Sequence, residues 1–256
     1  MSDVSTAVVP APREEPAKDV QALADERDLS GAGNRSAAER HKARAFIRWV
    51  DRLSFEDPGA RSALRRGRGK DLDAVPFMHR FVAGWLTEEQ LRDPDVERAY
   101  YTMASLIASQ RREQYAAAKG IADGDGAAPP VGGRHGRSLG VAFADAVAKG
   151  DAGLRESSAQ TRLNLLARQS VDGLHRHLPG AVRQLRDRQV EVDWAQLLVD
   201  LSCWRRHAGA VKRRWLQDYY RARLASEYKA ALEADQELAA LQAAGDEQSD
   251  TPATES

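Results

Sequence analysis

Two clusters of arginine and lysine are the residues of this sequence best suited to binding a ligand. The first basic cluster consists of Arg61, Arg65, Arg66, Arg68 and Lys70, five positive charges with no acid among ten residues. The second basic cluster holds seven bases opposed by one acid, Asp218; its members are Arg205, Arg206, Lys212, Arg213, Arg214, Arg221 and Arg223. A guanidinium grips phosphate oxygens through two N–H groups, whereas an ammonium is a point charge. The clusters therefore favour a polyanion, with nucleic acid as the leading class.

The alternative to nucleic-acid binding is that these clusters are solvated helix faces without a ligand, because arginine is a good helix former. The distribution of charge along the chain bears on this choice. The whole sequence has 38 basic and 38 acidic residues, but residues 29–230 hold 35 bases and 24 acids, and both ends are acidic. Charges separated by more than about 8–10 Å are screened at physiological salt. We therefore expect the body of the protein to present a cationic surface.

A second chemistry, at the single cysteine, is considered and set aside. Asp200, Cys203 and His207 are spaced by three and four residues on one helix face, as in a thiol with a base or a partial metal site. A lone cysteine beside a tryptophan in an amphipathic helix is more often a small buried hydrophobe. His175 and His177 would diverge by about 200° on a helix, so they cannot bind the same metal ion there. Both are predicted at a surface or cap. We predict no catalytic residue, no metal and no cofactor.

The elements that position these residues are predicted to be helices throughout. Val211, Trp215 and Tyr219 lie at 0°, 40° and 80° around a helix and form a core stripe, as do Leu197, Leu201 and Trp204 on the preceding helix. In the helix with Trp215, the second-cluster residues Arg213, Arg214 and Arg221 fall at 200–300° and should point away from the core. Asp218 can pair with Arg214 or Arg221, which leaves Arg213 unmatched. Glutamate at both 213 and 214 should then preserve the helical circular-dichroism signal but weaken nucleic-acid binding.

Composition divides the chain into five regions in an all-α fold of two helical-bundle halves. A capping box, Ser36 to Glu39, marks the expected start of the first helix, and a break is expected at Pro179. A Gly- and Pro-rich stretch separates the halves. The predicted regions are a disordered acidic arm at 1–35, a helical subdomain at 36–119, a linker at 120–137, a second helical subdomain at 138–243 and a disordered acidic tail at 244–256.

The order of several segments resembles a known family. The segments are FIRWVDRL, GARSALRRGRGK, FVAGWL, SLGVAFADAV, VDWAQLLVDL and VKRRWLQDYY. Over about residues 40–225 they are similar to the CasB family, the small subunit of the type I-E CRISPR Cascade complex. The acidic ends and the Gly-rich linker fall outside this resemblance.

The resemblance implies an all-helical, non-catalytic protein present as two copies in an RNA-guided surveillance complex. The implied partners are the backbone and large subunits, the guide RNA, the target DNA and a second copy of the chain. The basic surface would steady the target and displaced strands of the R-loop, through Arg65 and Arg66 in ALRRG and Arg213 and Arg214 in KRRW. We expect a cytoplasmic location, with no membrane and no small-molecule substrate. The competing hypothesis is a helical adaptor whose basic patches bind acidic protein surfaces.

Overall fold

The architecture is that of a computed structural model, which describes residues 17–110 and 136–249. Every regular element in these ranges is helical, which confirms the all-α prediction. The α-helices are α1 Ala17–Glu56, α2 Pro58–Arg66, α3 His79–Val82, α4 Glu88–Leu91, α5 Pro94–Ala108, α6 Leu139–Ala148, α7 Glu156–Ala167, α8 Val171–Asp187, α9 Trp194–Ser202 and α10 Trp204–Ser249. Short 3-10 turns cover Leu72–Ala74, Pro76–Met78, Ala83–Trp85 and Gly150–Ala152. None of the described helices combines the length and apolarity that crossing a bilayer requires.

Helix starts follow local capping chemistry. Asp57 and Asp93 each precede a proline, and their carboxylates accept hydrogen bonds from the first free N–H groups of α2 and α5. The hydroxyls of Ser138 and Ser170 do the same for α6 and α8, as does the Asp193 carboxylate for α9. These side chains satisfy backbone donors that have no partner inside the helix.

The ends of the chain are more helical than predicted. Helix α1 begins at Ala17, before the predicted capping box, and Ser36 lies inside this helix; the arm at 1–35 stays a prediction. No proline interrupts the chain between Pro16 and Glu56, and Ala, Glu, Arg and Leu favour a helix there. Helix α10 likewise continues to Ser249, beyond the predicted tail boundary at 244. Residues 1–16 and 250–256 lie outside the described residues.

The chain forms two compact units, Met1–His41 and Lys42–Ser256. Within the second unit, helices from both predicted halves share one hydrophobic core, because α9 packs on α5 and α8 also contacts α5. The most buried members come from before and after the predicted linker and include Phe46, Met103, Phe143 and Trp215. The two halves therefore fold around the same core.

The tightest helix contact in this core depends on a glycine. Helix α10 packs most extensively on α6. A Cβ atom added at Gly140 of α6 would lie 1.8 Å from the carbonyl oxygen of Trp215. Any side chain at Gly140 would therefore push α6 away from α10. Helix α10, which carries the second basic cluster, would then lose its main packing contact.

Helix boundaries in the second half also differ from the prediction. Pro179 lies inside α8, which continues because Leu178, Val182 and Leu185 stay buried on one stripe across it; proline removes only one helical hydrogen bond. The expected helix through His207 breaks at Cys203, and His207 itself has non-helical backbone angles, φ −130° and ψ 26°.

Most of the predicted 120–137 linker lies outside the described residues. Its last two residues are described and are held by side chains at the start of α9. The backbone N–H of Gly136 donates to Gln196 Oε1 at 2.9 Å, and that of Arg137 donates to Asp193 Oδ2 at 3.2 Å. The second half is thus anchored where the chain enters α6.

Candidate nucleic-acid interface

Four of the five residues of the first basic cluster form an exposed patch at the end of α2. Arg65, Arg66, Arg68 and Lys70 are all exposed. The turn that carries them is fixed by Gly69, whose positive φ of 71° suits glycine. The Arg66 guanidinium lies over the ring of Phe77, 4.9 Å from its centroid, so its position is fixed by a cation–π contact.

Arg61, the first member of that cluster, is used inside the fold. Its Nε donates to the carbonyl oxygen of Ala108 at 3.2 Å, and its Nη2 donates to that of Gln110 at 2.5 Å. These are carbonyl groups at the C-terminal end of α5, which lack helical partners and carry partial negative charge. Arg61 therefore ties α2 to α5. The prediction that Arg61 is available to a ligand does not fit this geometry.

In the second basic cluster, Arg205 and Arg206 bind carboxylates at the start of α5. Arg205 makes a bidentate pair with Asp95, through Nε to Oδ2 and through Nη2 to Oδ1 at 3.0 Å, and Arg206 Nη2 donates to Asp93 Oδ2 at 2.5 Å. Asp95 is buried, with 5% of its surface exposed. The hydrogen bonds that Arg205 donates to Asp95 raise the pKa of Arg205. Both guanidinium groups are thus neutralised internally, although their side chains remain largely exposed.

Arg214 was predicted to point away from the core, and that prediction is wrong. Its Nη2 donates to Asp200 Oδ1, and only 21% of its side chain is exposed. Trp215 Nε1 donates to Asp200 Oδ2 at 2.6 Å, and Gln196 Nε2 donates to Oδ1 at 2.6 Å. Burial raises the pKa of the Asp200 carboxyl, while Arg214 opposes that shift. A guanidinium beside a buried carboxylate turns inward because that carboxylate would otherwise lack a counter-charge.

The remaining second-cluster residues divide into bound and open side chains. Arg223 donates to Glu227 Oε1 at 2.8 Å and lies 3.5 Å from Glu156 Oε2, with 14% of its side chain exposed. Lys212 lies 5.3 Å from the centroid of the Trp204 ring. In the described part of the chain, Arg213 and Arg221 are exposed and form no ion pair. We call the exposed residues of both clusters that lack an acidic partner the open basic set: Arg65, Arg66, Arg68, Lys70, Arg213 and Arg221.

Comparison with known proteins shows which family this chain belongs to. Residues 60–220 match the family of CRISPR-associated protein Cse2. The chain belongs to the Cse2 family. No protein with a curated functional description matches its sequence.

Three solved structures are similar to this Cse2 family member. A chain of a CRISPR RNA-guided surveillance complex is 35% identical, with a TM-score of 0.62 over 75% of this chain and 99% of the other. A chain of a pre-nicking surveillance complex is 36% identical, with a TM-score of 0.63 over 75% and 98%. CasB from M. ruber is 25% identical, with a TM-score of 0.54 over 74% and 97%. The resemblance to the CasB family is thus confirmed.

The possible thiol site does not assemble in this Cse2 chain. Asp200 accepts hydrogen bonds from three donors, Cys203 follows the last residue of α9, and His207 has non-helical backbone angles within α10. The three residues therefore do not share one helix face, as their spacing predicted. Within the described ranges, no group of three or more His, Cys, Asp or Glu side chains is arranged to hold a metal ion.

Aromatic side chains lie mostly in the core, as their helical spacing predicted. Trp204, Trp215 and Tyr219 are 0–1% exposed. Tyr220, which falls off that stripe, is 48% exposed next to Arg221. It is available to stack on a base beside the open basic set.

His175 is buried, which contradicts its prediction as a surface or cap residue. Only 3% of its surface is exposed, and its Nδ1 is 2.8 Å from the hydroxyl of Thr102 in α5. Burial, together with the nearby Arg98 guanidinium, lowers the pKa of His175 to about 4. Its position on the apolar stripe with Leu174 and Leu178 was the signal for burial. The imidazole therefore stays neutral in the folded protein.

We expect this buried imidazole to make the fold sensitive to acid. Below pH 6.5 the unfolded chain protonates His175 while the folded chain does not, so stability is full above pH 6.5 and falls toward pH 4 by about 1.4 kcal/mol per pH unit. The contribution of His175 to the free energy of unfolding, measured with urea, should be about 2 kcal/mol smaller at pH 5 than at pH 7. H175Q should show a shallower pH dependence; an unchanged slope would contradict the assignment.

Three further exposed arginines lie outside both basic clusters. Arg44, Arg48 and Arg52 of α1 are exposed and follow one another at four-residue spacing. They do not form a dense run in the sequence, so counting charge in short windows does not reveal them. Their common helix face was the signal that could have found them.

Proposed function

We propose that this protein is a non-catalytic small subunit of a type I-E CRISPR RNA-guided surveillance complex, acting in the cytoplasm. In this role it stabilises the target and displaced DNA strands of the R-loop without reading their sequence. The observation that carries the proposal is the open basic set, six exposed cations without an acidic partner in the described residues, on a fold similar to chains of CRISPR RNA-guided surveillance complexes.

The energetics of R-loop formation explain why such a surface is useful. Exchange of a DNA duplex for an RNA–DNA hybrid is nearly balanced in free energy. Contacts from protein to the phosphate backbone therefore help to decide whether the opened state persists. Arg65 and Arg66 at the end of α2, and Arg213 on α10, supply guanidinium groups that can bind phosphate in two places.

The arrangement of these cations favours contact with backbone over bases. They lie on exposed helix faces and on one turn, and the nearby aromatic residue Tyr220 would stack on any base. Phosphate contacts position a protein without carrying sequence information. Specificity would then reside in the guide RNA.

The proposal includes protein partners. These are the backbone and large subunits of the complex and a second copy of this chain, as the resemblance to the CasB family implies; similar chains belong to CRISPR RNA-guided surveillance complexes. A competing function is that of an adaptor that binds acidic protein surfaces. It would use the same open basic set, because carboxylates also accept charge-assisted hydrogen bonds from guanidinium.

A salt titration separates these two functions. We expect the full chain to bind fluorescently labelled single-stranded DNA, with log Kobs falling linearly against log salt. If about six phosphates are neutralised, the slope should be about −4 for a single strand. Fluorescence anisotropy between 50 and 200 mM salt measures it. Absence of binding even at 50 mM salt would favour the adaptor function.

A further inference from the structure

The outward face of α1 presents a continuous row of positive charge. Arg44, Arg48 and Arg52, here called the α1 stripe, lie at 0°, 40° and 80° around the helix, opposite the buried residues Ala43, Phe46 and Val50. All three arginines are exposed. Four residues of helix rise about 6 Å, so the stripe extends about 12 Å along the axis.

No acid neutralises the α1 stripe in the described residues. Asp51 lies between Arg48 and Arg52, and Glu56 lies four residues after Arg52, but none of the ion pairs among the described residues includes an arginine of the stripe. This contrasts with Arg205 and Arg214, whose guanidinium groups bind Asp95 and Asp200. The stripe is therefore as open to an external anion as the open basic set.

The spacing of the three arginines places like charges next to one another on the helix. Like charges at i and i+4 repel one another and weaken a helix, and the stripe contains two such pairs, Arg44 with Arg48 and Arg48 with Arg52. A bound polyanion would turn this repulsion into attraction, because each guanidinium would face a phosphate.

We infer that the α1 stripe is a further binding site for nucleic-acid phosphates, separate from the two basic clusters. The inference rests on the proposed function, since it assumes that the ligand of the protein is nucleic acid. The stripe precedes residue 60, where the match to the Cse2 family begins, so the comparison assigns it no role. Three guanidinium groups in a row suit the backbone of one strand, and nothing in this contact requires a particular base.

The test compares two triple variants of the full chain. One carries R44Q, R48Q and R52Q. The matched control carries R155Q, R168Q and R176Q, which removes the same number of exposed charges from α7, α8 and the residues beside them. Both variants should keep the circular-dichroism spectrum of the wild type, since neither changes a buried residue.

Binding of single-stranded DNA and of RNA of equal length is then measured across 50–200 mM salt. We expect the slope of log Kobs against log salt to become shallower by about 2 for the stripe variant on at least one of these strands, and to change little for the control. A strand whose slope changes is one that the stripe binds.

Three outcomes would overturn the inference in distinguishable ways. Equal changes in both variants would mean that only net charge matters. An unchanged slope in the stripe variant, with normal binding by the wild type, would rule out the α1 site and leave the proposed function intact. If that variant also failed to associate with the other purified subunits, the stripe would be a protein contact. Absence of wild-type binding would contradict the proposed function itself.

Discussion

Replacement of Asp200 by alanine should lower the free energy of unfolding by about 3–5 kcal/mol, because it leaves a buried charge without its partner. Asp200 is 1% exposed and accepts hydrogen bonds from Arg214, Trp215 and Gln196. Its removal leaves the Arg214 guanidinium, which is 21% exposed, without a counter-charge and leaves the indole N–H of Trp215 without an acceptor. Urea unfolding followed by tryptophan fluorescence measures the change.

A matched control and a double variant show whether the pair is responsible. Asp218 lies on α10 near Arg214 but forms no ion pair in the described residues, so D218A should change stability by no more than about 0.5 kcal/mol. The double variant D200L with R214M removes both charges and should lose less than D200A. A loss below about 1 kcal/mol in D200A would mean that the pair does not hold α9 to α10.

This network also changes the expected effect of glutamate at 213 and 214. A glutamate at 214 would place a second carboxylate beside Asp200, where burial already disfavours the first. The double substitution is thus unsuited to testing nucleic-acid binding alone. Arg213 is exposed and can be replaced by itself without disturbing the core.

The sequence predicts the helices of this fold well because local patterns determine them. The stripe of Val211, Trp215 and Tyr219 is buried as its spacing indicates, and Asp57 and Asp93 cap the helices that follow them. These features depend on neighbours within a few residues. The helix through Pro179 was predicted poorly, since packing of Leu178 and Val182 on the core outweighs one lost hydrogen bond.

The site was harder to predict because pairing between distant residues determines which cations are open. Asp95 is 110 residues from Arg205, and Ala108 is 47 residues from Arg61. No local rule shows that α5 brings its buried carboxylate and its C-terminal carbonyls to these arginines. Composition alone thus does not show that Arg205, Arg206, Arg214 and Arg223 of the second basic cluster bind carboxylates within the chain.

These internal pairs divide the arginines into two physical roles. Arg205 and Arg206 link α10 to α5, so their loss would disturb the scaffold as well as the surface charge. Arg65, Arg68 and Arg213 have no acidic partner in the described residues, so their charge is available to an external anion. A variant that tests nucleic-acid binding must therefore change the second group alone.

The variant with glutamine at all six positions of the open basic set should lose at least a thousandfold in affinity for single-stranded DNA at 50 mM salt. Each neutralised phosphate contributes about 0.7 to the salt dependence of a single strand, so six contacts account for a slope of about 4. Anisotropy titration measures both quantities. The substituted residues are Arg65, Arg66, Arg68, Lys70, Arg213 and Arg221.

The matched control changes six exposed arginines outside both clusters to glutamine: Arg92, Arg155, Arg168, Arg176, Arg183 and Arg188. Both variants have the same net charge, so a difference between them reports where the charge lies. The fold should survive in the test variant because the only cation–π contact it removes among the described residues, that of Arg66 with Phe77, contributes about 0.5–1 kcal/mol at an exposed site. If both variants lose affinity equally, net charge alone attracts the polyanion; if neither does, the ligand of the open basic set is not nucleic acid.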